Sequence, residues 1–202
     1  MSKGTTAAAV YRKDYKPYPW TLEQAVLRFE IEGEHTRVLS SLEFTPNPAA
    51  KKSDRIELNG ECMELISASL NGRLLTDADY RLNDEGLLIK GVNGACRLDL
   101  EVHIRPQENT ALEGLYPSGD FLLTQCEAEG FRKICYFPDR PDVMTTYDVT
   151  IVADNSCYPV MLSKCNAVDS GELENGRHWV RWVDPFAKPS YLFALVAGDL
   201  AC

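Results

Sequence analysis

The sequence predicts an all-β domain, a sandwich or related open β structure with antiparallel or mixed strands. Segments in which apolar and polar residues alternate recur along most of the chain, as they do in half-buried strands. Turn signals built on asparagine and glycine separate these segments, and no helical pattern extends beyond two turns. Many short strands divided by turn residues are typical of this fold class.

The first half of the chain is predicted to hold two long strands and a series of hairpins. Residues 25–31 form the first strand, and a turn at residues 32–35 leads into a second strand that ends at Phe44. A polar loop covers residues 45–54. The predicted turns that follow are Asn59-Gly60, Asn71-Gly72 and residues 83–86. Both Asn-Gly pairs are hairpin signals, because Asn and Gly tolerate the positive φ of a type I′ turn.

The second half continues the β pattern around one exception. Residues 96–105 form the cleanest strand, with the even-numbered side chains facing inward, and Pro106 ends it. Residues 106–141 carry few strand signals, and we expect one long functional loop region there because such loops in compact domains are usually functional. The remaining predicted strands are residues 147–153, a hairpin on Asn175-Gly176 with residues 178–183 as its second arm, and a central apolar strand at residues 191–197.

Length and charge restrict the domain organisation and the partners. The 202 residues are enough for one large domain, and we expect a flexible tail at residues 1–12 followed by one β domain at residues 13–202. The formal net charge is -9 and the longest basic run is two residues, as at Lys51-Lys52, which argues against nucleic acid as a partner. An acidic surface favours a cationic ligand.

The chain shows no targeting or membrane signal. No stretch reaches the roughly 20 apolar residues of a membrane span, and residues 1–10 lack the apolar core of a signal peptide. The seven cysteines are an odd number without a Cys-x-x-Cys pair, so free thiols in a reducing compartment are the simpler account. We therefore expect a cytosolic protein with no membrane partner.

The most informative segment is residues 124–132, which hold two acids and an amide in close succession. If the backbone is extended there, Gln125, Glu127 and Glu129 project to one side, because side chains in a strand alternate with a period of two. Two carboxylates and an amide facing one way form a plausible receptor for a cation such as an amine. A solvated acidic strand edge is the alternative, and spacing alone favours it.

A metal site within this chain is not predicted. A catalytic zinc site needs about three protein ligands, most recognisably a His-Glu-x-x-His pair one helical turn apart. The three histidines, His35, His103 and His178, each lie alone on a predicted strand or turn. His103 is expected on the polar face of its strand.

A nucleophilic thiol at Cys126 is also disfavoured. A reactive thiolate needs nearby positive charge, whereas Glu127 and Glu129 flank this cysteine and are expected to raise its pKa. Free cysteine more often behaves as a small buried hydrophobe, and alternation directs Cys126 inward. The thiol-enzyme interpretation stays open as a weak alternative.

Two other clusters have mainly structural interpretations. Trp20, Trp179 and Trp182 are candidates for an aromatic sugar platform, but Trp179 and Trp182 are three apart on a strand and so face opposite ways. Residues 138–142 form a rigid charged turn in which two prolines fix φ and Arg140 can pair with a neighbouring acid.

Several long motifs closely resemble the bacterial aminopeptidase N family. The match is dense from Asn109 onward, whereas between Trp20 and Ile104 it rests mainly on the strand pattern. The matching segments are residues 109–116, 119–120, 124–132, 139–143, 171–179, 184–186 and 192–199, together with the less specific residues 11–15.

The resemblance implies a role within a zinc-dependent exopeptidase that releases N-terminal residues from peptides. In that family a saddle-shaped N-terminal β domain precedes a thermolysin-like catalytic domain, a small β domain and a large helical domain. This sequence resembles the first domain only, since the Gly-Ala-Met-Glu-Asn segment and the His-Glu-x-x-His helix are absent from it. The resemblance therefore implies that zinc belongs to the full-length parent, that no catalytic residue lies in these residues, and that they are inactive alone.

The same resemblance assigns roles to the acidic segment. Glu127 matches the glutamate that helps to bind the free α-ammonium group of the substrate, and Gln125 matches the glutamine that reaches the first side-chain subsite. Glu129 matches the family pattern without a clear role, and we expect it to support the loop. The implied partners are peptides with a free N-terminus and the catalytic domain of the same polypeptide. A stand-alone, non-catalytic β binding or scaffold module is the alternative.

Overall fold

The computed structural model describes residues 11–164 and 166–200. Residues 1–10, most of the predicted flexible tail, lie outside the described residues. Within the described residues the chain is almost entirely β structure, which confirms the predicted fold class. Helical structure there is limited to five 3₁₀ helices of three residues each, and none of them is long and apolar enough to cross a membrane.

Fifteen strands form three sheets in the described part of the chain. The strands are β1 (Trp20–Ile31), β2 (Thr36–Pro46), β3 (Arg55–Asn59), β4 (Glu64–Leu70), β5 (Arg73–Leu74), β6 (Tyr80–Asn83), β7 (Gly86–Lys90), β8 (Cys96–Ile104), β9 (Gly114–Ser118), β10 (Phe121–Gln125), β11 (Thr145–Asp154), β12 (Val160–Ser163), β13 (Asn166–Glu172), β14 (Arg177–Lys188) and β15 (Leu195–Gly198). The largest sheet has the order β13-β14-β11-β1-β2-β8-β4-β5, the second β12-β15-β10-β9, and the third β3-β7-β6.

The large sheet is mixed, because β1 and β11 run parallel while the other pairs among the described strands are antiparallel. Residues 24–30 of β1 pair in register with residues 146–152 of β11. This pairing joins the two halves of the chain near the centre of the sheet. The segment between β1 and β11 contains strands β9 and β10 of the second sheet and the whole of the third sheet.

The apolar faces predicted from alternation form the core. Ala25, Leu27 and Phe29 on β1 are fully buried, and the even-numbered residues of β8 and the odd-numbered residues 147–153 of β11 are buried as well. The ring of Phe29 stacks on that of Phe193 with centroids 5.9 Å apart. The core therefore connects the large sheet with the segment that leads into β15.

The central apolar strand predicted at residues 191–197 begins later than expected. Ser190–Leu192 is a 3₁₀ helix, and β15 starts at Leu195. Pro189 has φ -71° and no N–H to donate, so it favours a turn over a sheet ladder at this point. The interior placement is confirmed, because β15 lies between β12 and β10.

Two of the three predicted Asn-Gly hairpins are confirmed. Asn71 and Gly72 have φ of 51° and 80° between β4 and β5, and Asn175 and Gly176 have φ of 61° and 73° between β13 and β14. Both pairs thus adopt the left-handed backbone that favours these residues.

The predicted hairpin at Asn59-Gly60 is wrong. β3 and β4 belong to different sheets, so the chain crosses between sheets here instead of reversing. Asn59 forms a two-way backbone bridge with Phe137, with N···O distances of 2.8 and 3.0 Å. Glycine is required at position 60 because a Cβ there would lie 2.2 Å from two ring carbons of Tyr136.

We expect Gly60→Ala to lower the free energy of unfolding by roughly 2 kcal/mol or more, the typical cost of overpacking a rigid site. The Tyr136 ring is buried and has little freedom to move away. Gly33→Ala is the matched control, since a Cβ at Gly33 meets no atom within 4 Å. Urea denaturation of both variants measures the difference, and equal midpoints would contradict the packing argument.

Candidate functional site

The region predicted as one long functional loop contains more regular structure than its sequence indicates. β9 and β10 form an antiparallel hairpin within it, and β10 pairs on its other side with β15. A 3₁₀ helix follows at Phe131–Lys133. The acidic segment therefore lies where β10 ends, between a sheet and a short helix.

The expectation that residues 125–129 are extended is wrong beyond Gln125. β10 ends at Gln125, and residues 127–130 form a turn closed by the Gly130 N–H donating to the Cys126 carbonyl at 2.9 Å. Glycine is needed at position 130, because a Cβ there would lie 2.3 Å from the Gln125 carbonyl oxygen. The Glu127–Ala128 peptide bond is cis. Gln125 thus ends the strand and the two acids lie on the turn that follows it, so the three do not share one strand face.

The turn is attached to the core by the residues on either side of its exposed part. Cys126 and Phe131 are buried, at 2% and 0% exposure. The Phe131 ring packs edge to face against Phe137 and Phe193, with centroid distances of 4.7 and 5.0 Å. Such aromatic pairs contribute about 0.5–1.5 kcal/mol beyond their area burial. Residues 127–129 are exposed above this anchored base.

The two glutamates differ in their environment. Glu129 Oε2 lies 3.2 Å from Arg132 Nη1, so its charge is already compensated. Within residues 11–164 and 166–200, the Glu127 carboxylate has no hydrogen-bond or ion-pair partner, and the side chain is exposed. The Gln125 side chain supports the turn, since its Nε2 donates to the Glu127 carbonyl at 3.1 Å. Glu127 is therefore the acid available to an external cation.

Cys126 is directed into the interior, as expected, but its surroundings differ from the prediction. Burial raises the pKa of the Cys126 thiol, and the nearby Asp139 carboxylate raises it further. The expected influence of Glu127 and Glu129 is replaced by that of Asp139, because the turn carries both glutamates to the surface. A buried thiol that stays protonated is poorly suited to nucleophilic attack.

Residues 138–142 form the charged turn that the sequence predicts. Arg140 donates to both carboxylate oxygens of Asp142 at 2.8 Å and to the Lys16 carbonyl at 2.9 Å. These bonds attach the turn to the segment before β1. Unlike Asp142, Asp139 has a buried side chain, which forms an ion pair with Arg132.

The histidines are not arranged as the sequence suggests. His35 and His103 come together, with ring centroids 4.6 Å apart, and Glu32 lies 3.4 Å from His35 Nε2. His178 is buried, with Nε2 2.8 Å from the Tyr158 carbonyl oxygen. Among the described residues, no three His, Cys, Asp or Glu side chains are placed to hold a metal ion.

The tryptophans do not form a shared platform. Trp20 is buried and donates from Nε1 to the Arg55 carbonyl at 2.7 Å. Trp182 packs against the core, whereas Trp179 covers Gly171 on the neighbouring strand. The two β14 tryptophans therefore serve packing on opposite faces, as their spacing predicts.

A groove of about 860 Å³ lies beside the turn, between the three-stranded sheet and residues 15–19. Glu129 and Arg132 line it, whereas Glu127 does not.

Known proteins of one peptidase family are similar to this chain. The profile of the Peptidase M1 N-terminal domain matches residues 14–192. The chain is 48% identical to aminopeptidase N of Caulobacter vibrioides over 195 residues, and 44% identical to aminopeptidase N of Escherichia coli over 191 residues. It is covered to 96% and 95% in these matches, but spans only 22% of the length of either relative.

Solved structures show the same fold. Legionella pneumophila aminopeptidase A, crystallised with aspartic acid, superposes with a TM-score of 0.89 at 36% identity over 94% of this chain and 22% of that protein. A Deinococcus radiodurans M1 zinc metallopeptidase bound to a Tyr-Ser-Ala substrate superposes with a TM-score of 0.76 at 16% identity, covering 89% of this chain and 42% of that one. From the profile match, the identities and the shared fold, we conclude that the chain belongs to the Peptidase M1 N-terminal domain family.

Proposed function

We propose that this chain is the substrate-anchoring N-terminal domain of a zinc-dependent aminopeptidase, in which Glu127 binds the free α-ammonium group of a peptide. One observation carries the proposal: the Glu127 carboxylate is exposed and without a partner among the described residues, on a turn whose base is fixed in the core. The paired Glu129 serves as support for the turn.

The chemistry suits an N-terminal amine. Carboxylate–ammonium hydrogen bonds are charge-assisted and roughly twice as strong as neutral ones. A substrate with a blocked amino end lacks the cation, so an acid enclosed by the assembled site is left unpaired, which disfavours binding. Selection for a free N-terminus follows from this one contact.

Gln125 has a place in the same proposal. Its Nε2 is engaged with the Glu127 carbonyl, and its Oε1 is left to accept a hydrogen bond from a ligand. We assign Gln125 to the first side-chain subsite, next to the amine anchor. The preference for particular N-terminal side chains is then set jointly with residues of other domains.

The described residues do not fit a zinc site, because no suitable group of His, Cys, Asp or Glu occurs among them. In the proposal, zinc and the groups that cleave the peptide bond belong to other domains of the parent enzyme. Residues 13–202 form the anchoring domain, consistent with the family match over residues 14–192. We place the parent enzyme in the cytosol, in keeping with the five free cysteines among the described residues, Cys62, Cys96, Cys126, Cys135 and Cys157.

The test is an assay of the complete gene product on aminoacyl anilides with and without a zinc chelator. We expect hydrolysis that the chelator abolishes and that added zinc restores. The 202-residue chain alone is expected to show neither hydrolysis nor stoichiometric zinc binding. Chelator-resistant activity of the gene product, or hydrolysis by the 202-residue chain, would contradict the proposal. A gene that ends at Cys202 would favour the stand-alone module instead.

A further inference from the structure

Arg132 lies two residues after the turn that carries Glu127, and its guanidinium is shared among three carboxylates, of which Glu61 is the most distant at 4.0 Å. Nε donates to Asp139 Oδ2 at 3.1 Å, and Nη1 lies 3.2 Å from Glu129 Oε2. Nη2 donates to the Asp139 carbonyl oxygen at 3.2 Å. Only 16% of the side chain is exposed, so water competes poorly for these bonds.

Asp139, the buried partner of Arg132, is held in place by several hydrogen bonds. Its side chain is 1% exposed, and Oδ1 accepts a hydrogen bond from Ser190 Oγ at 2.5 Å. The Asp139 N–H donates to Asn59 Oδ1 at 3.2 Å, and the Arg132 N–H donates to Asp139 Oδ2 at 3.1 Å. Asp139 thus joins three elements: its carboxylate bonds the helix before β15 and the helix after the turn, and its backbone N–H bonds the end of β3.

The exposed turn is therefore held from both sides. On the strand side, Gln125 Nε2 bonds the Glu127 carbonyl. On the helix side, Arg132 holds Glu129, two residues beyond Glu127. We propose that Arg132 is a positioning residue, which through Asp139 and Glu129 fixes the turn that presents Glu127. The proposal rests on the function assigned above to Glu127.

The neighbouring lysine does not duplicate this role. Lys133 Nζ lies 3.2 Å from Glu61 and 3.5 Å from Glu113, and neither acid belongs to the turn. An ammonium group is a compact point charge, whereas the planar guanidinium presents five donors in a fixed fork. Arg132 contacts Asp139 and Glu129 through different nitrogens of its guanidinium group. Arg132→Lys therefore keeps the positive charge but loses the ability to bond both carboxylates at once.

The experiment compares Arg132→Lys and Glu129→Gln with the control Arg97→Lys, whose residue contacts Asp99 on the surface of β8. Hydrogen–deuterium exchange of residues 126–130 in the 202-residue chain reports the turn directly. Steady-state kinetics of the complete gene product on an aminoacyl anilide separates KM from kcat. Glu129 is 65% exposed, so Glu129→Gln is expected to fold even if Arg132→Lys does not.

We expect Arg132→Lys to speed exchange in the turn by about tenfold and to raise KM roughly tenfold with a smaller change in kcat. Glu129→Gln is expected to have the same effects more weakly, and Arg97→Lys is expected to have none.

Exchange rates equal to those of the wild type in both Arg132→Lys and Glu129→Gln would contradict the proposal that Arg132 holds the turn. Faster exchange with unchanged KM reduces Arg132 to a structural residue and also overturns the proposal. If Glu127→Gln leaves the kinetics unchanged, the proposed function fails, while the exchange result still decides whether Arg132 holds the turn.

Discussion

Replacing Glu127 with glutamine is expected to lower kcat/KM of the complete gene product on an aminoacyl anilide by about a hundredfold, equivalent to roughly 2.7 kcal/mol. Glutamine keeps the shape and one acceptor oxygen but removes the charge that attracts an ammonium group. No described residue compensates this carboxylate, so its charge is available to the ligand. Steady-state kinetics at saturating zinc measures the loss.

The matched control is Glu174→Gln, in the turn between β13 and β14. Glu174 is also an exposed glutamate without an ion-pair or hydrogen-bond partner among the described residues, and we expect its replacement to leave kcat/KM within about twofold. An N-acetylated substrate should be poor for both the wild type and Glu127→Gln, because the cation is missing in each case. Equal kinetics for wild type and Glu127→Gln on the free-amine substrate would contradict the assignment.

The second large effect concerns stability. Asp139→Asn is expected to lower the free energy of unfolding of the chain by about 3 kcal/mol, since it removes the buried member of an ion pair and weakens the hydrogen bonds that this carboxylate accepts. Arg132 would keep only its more exposed partners Glu129 and Glu61, and Ser190 Oγ would lose a charged acceptor. Urea denaturation followed by tryptophan fluorescence measures the shift.

Asp142→Asn is the control for this prediction. Asp142 belongs to the same charged turn and pairs with Arg140, but its side chain is 23% exposed and that of Arg140 is 37% exposed. Surface pairs of this kind contribute about 0–1 kcal/mol. A loss of stability in Asp139→Asn no greater than that in Asp142→Asn would show that the buried pair does not support the fold.

The strands were predictable because their signal is local. Alternation of apolar and polar residues is readable within a single segment, and β1, β8 and β11 bury the faces that it predicts. Sheet order was not predictable, since nothing within residues 25–31 specifies that β11, far along the chain, is the parallel neighbour.

The three Asn-Gly pairs that are predicted as hairpins illustrate the same limit. Their local preference is identical, yet only Asn71-Gly72 and Asn175-Gly176 form hairpins. At Asn59-Gly60 the ring of Tyr136 and the backbone of Phe137 decide the conformation. Tertiary contacts override turn propensity there, and no inspection of the dipeptide itself reveals them.

The sequence predicted which residues lie together at the candidate site but not the backbone conformation that they adopt. Gln125, Glu127 and Glu129 do lie together, although on a turn, and Gly130 was the available signal that the strand stops. Alternation alone did not distinguish the unpaired acid from the paired one; only the family resemblance gave Glu127 and Glu129 different roles. The three-residue spacing of Glu129 and Arg132 is compatible with their ion pair, but the connection to Asp139 depends on the folded backbone.

The parallel pairing of β1 with β11 has a consequence for synthesis on the ribosome. β1 meets β2 as soon as both have emerged, but its other edge stays open until residues 146–152 are made. At typical translation speeds of 5–20 residues per second this delay is on the order of 5–20 seconds. During that time the nascent chain exposes an unpaired strand that neighbouring polypeptides can join, so early termination before β11 is expected to yield aggregating products.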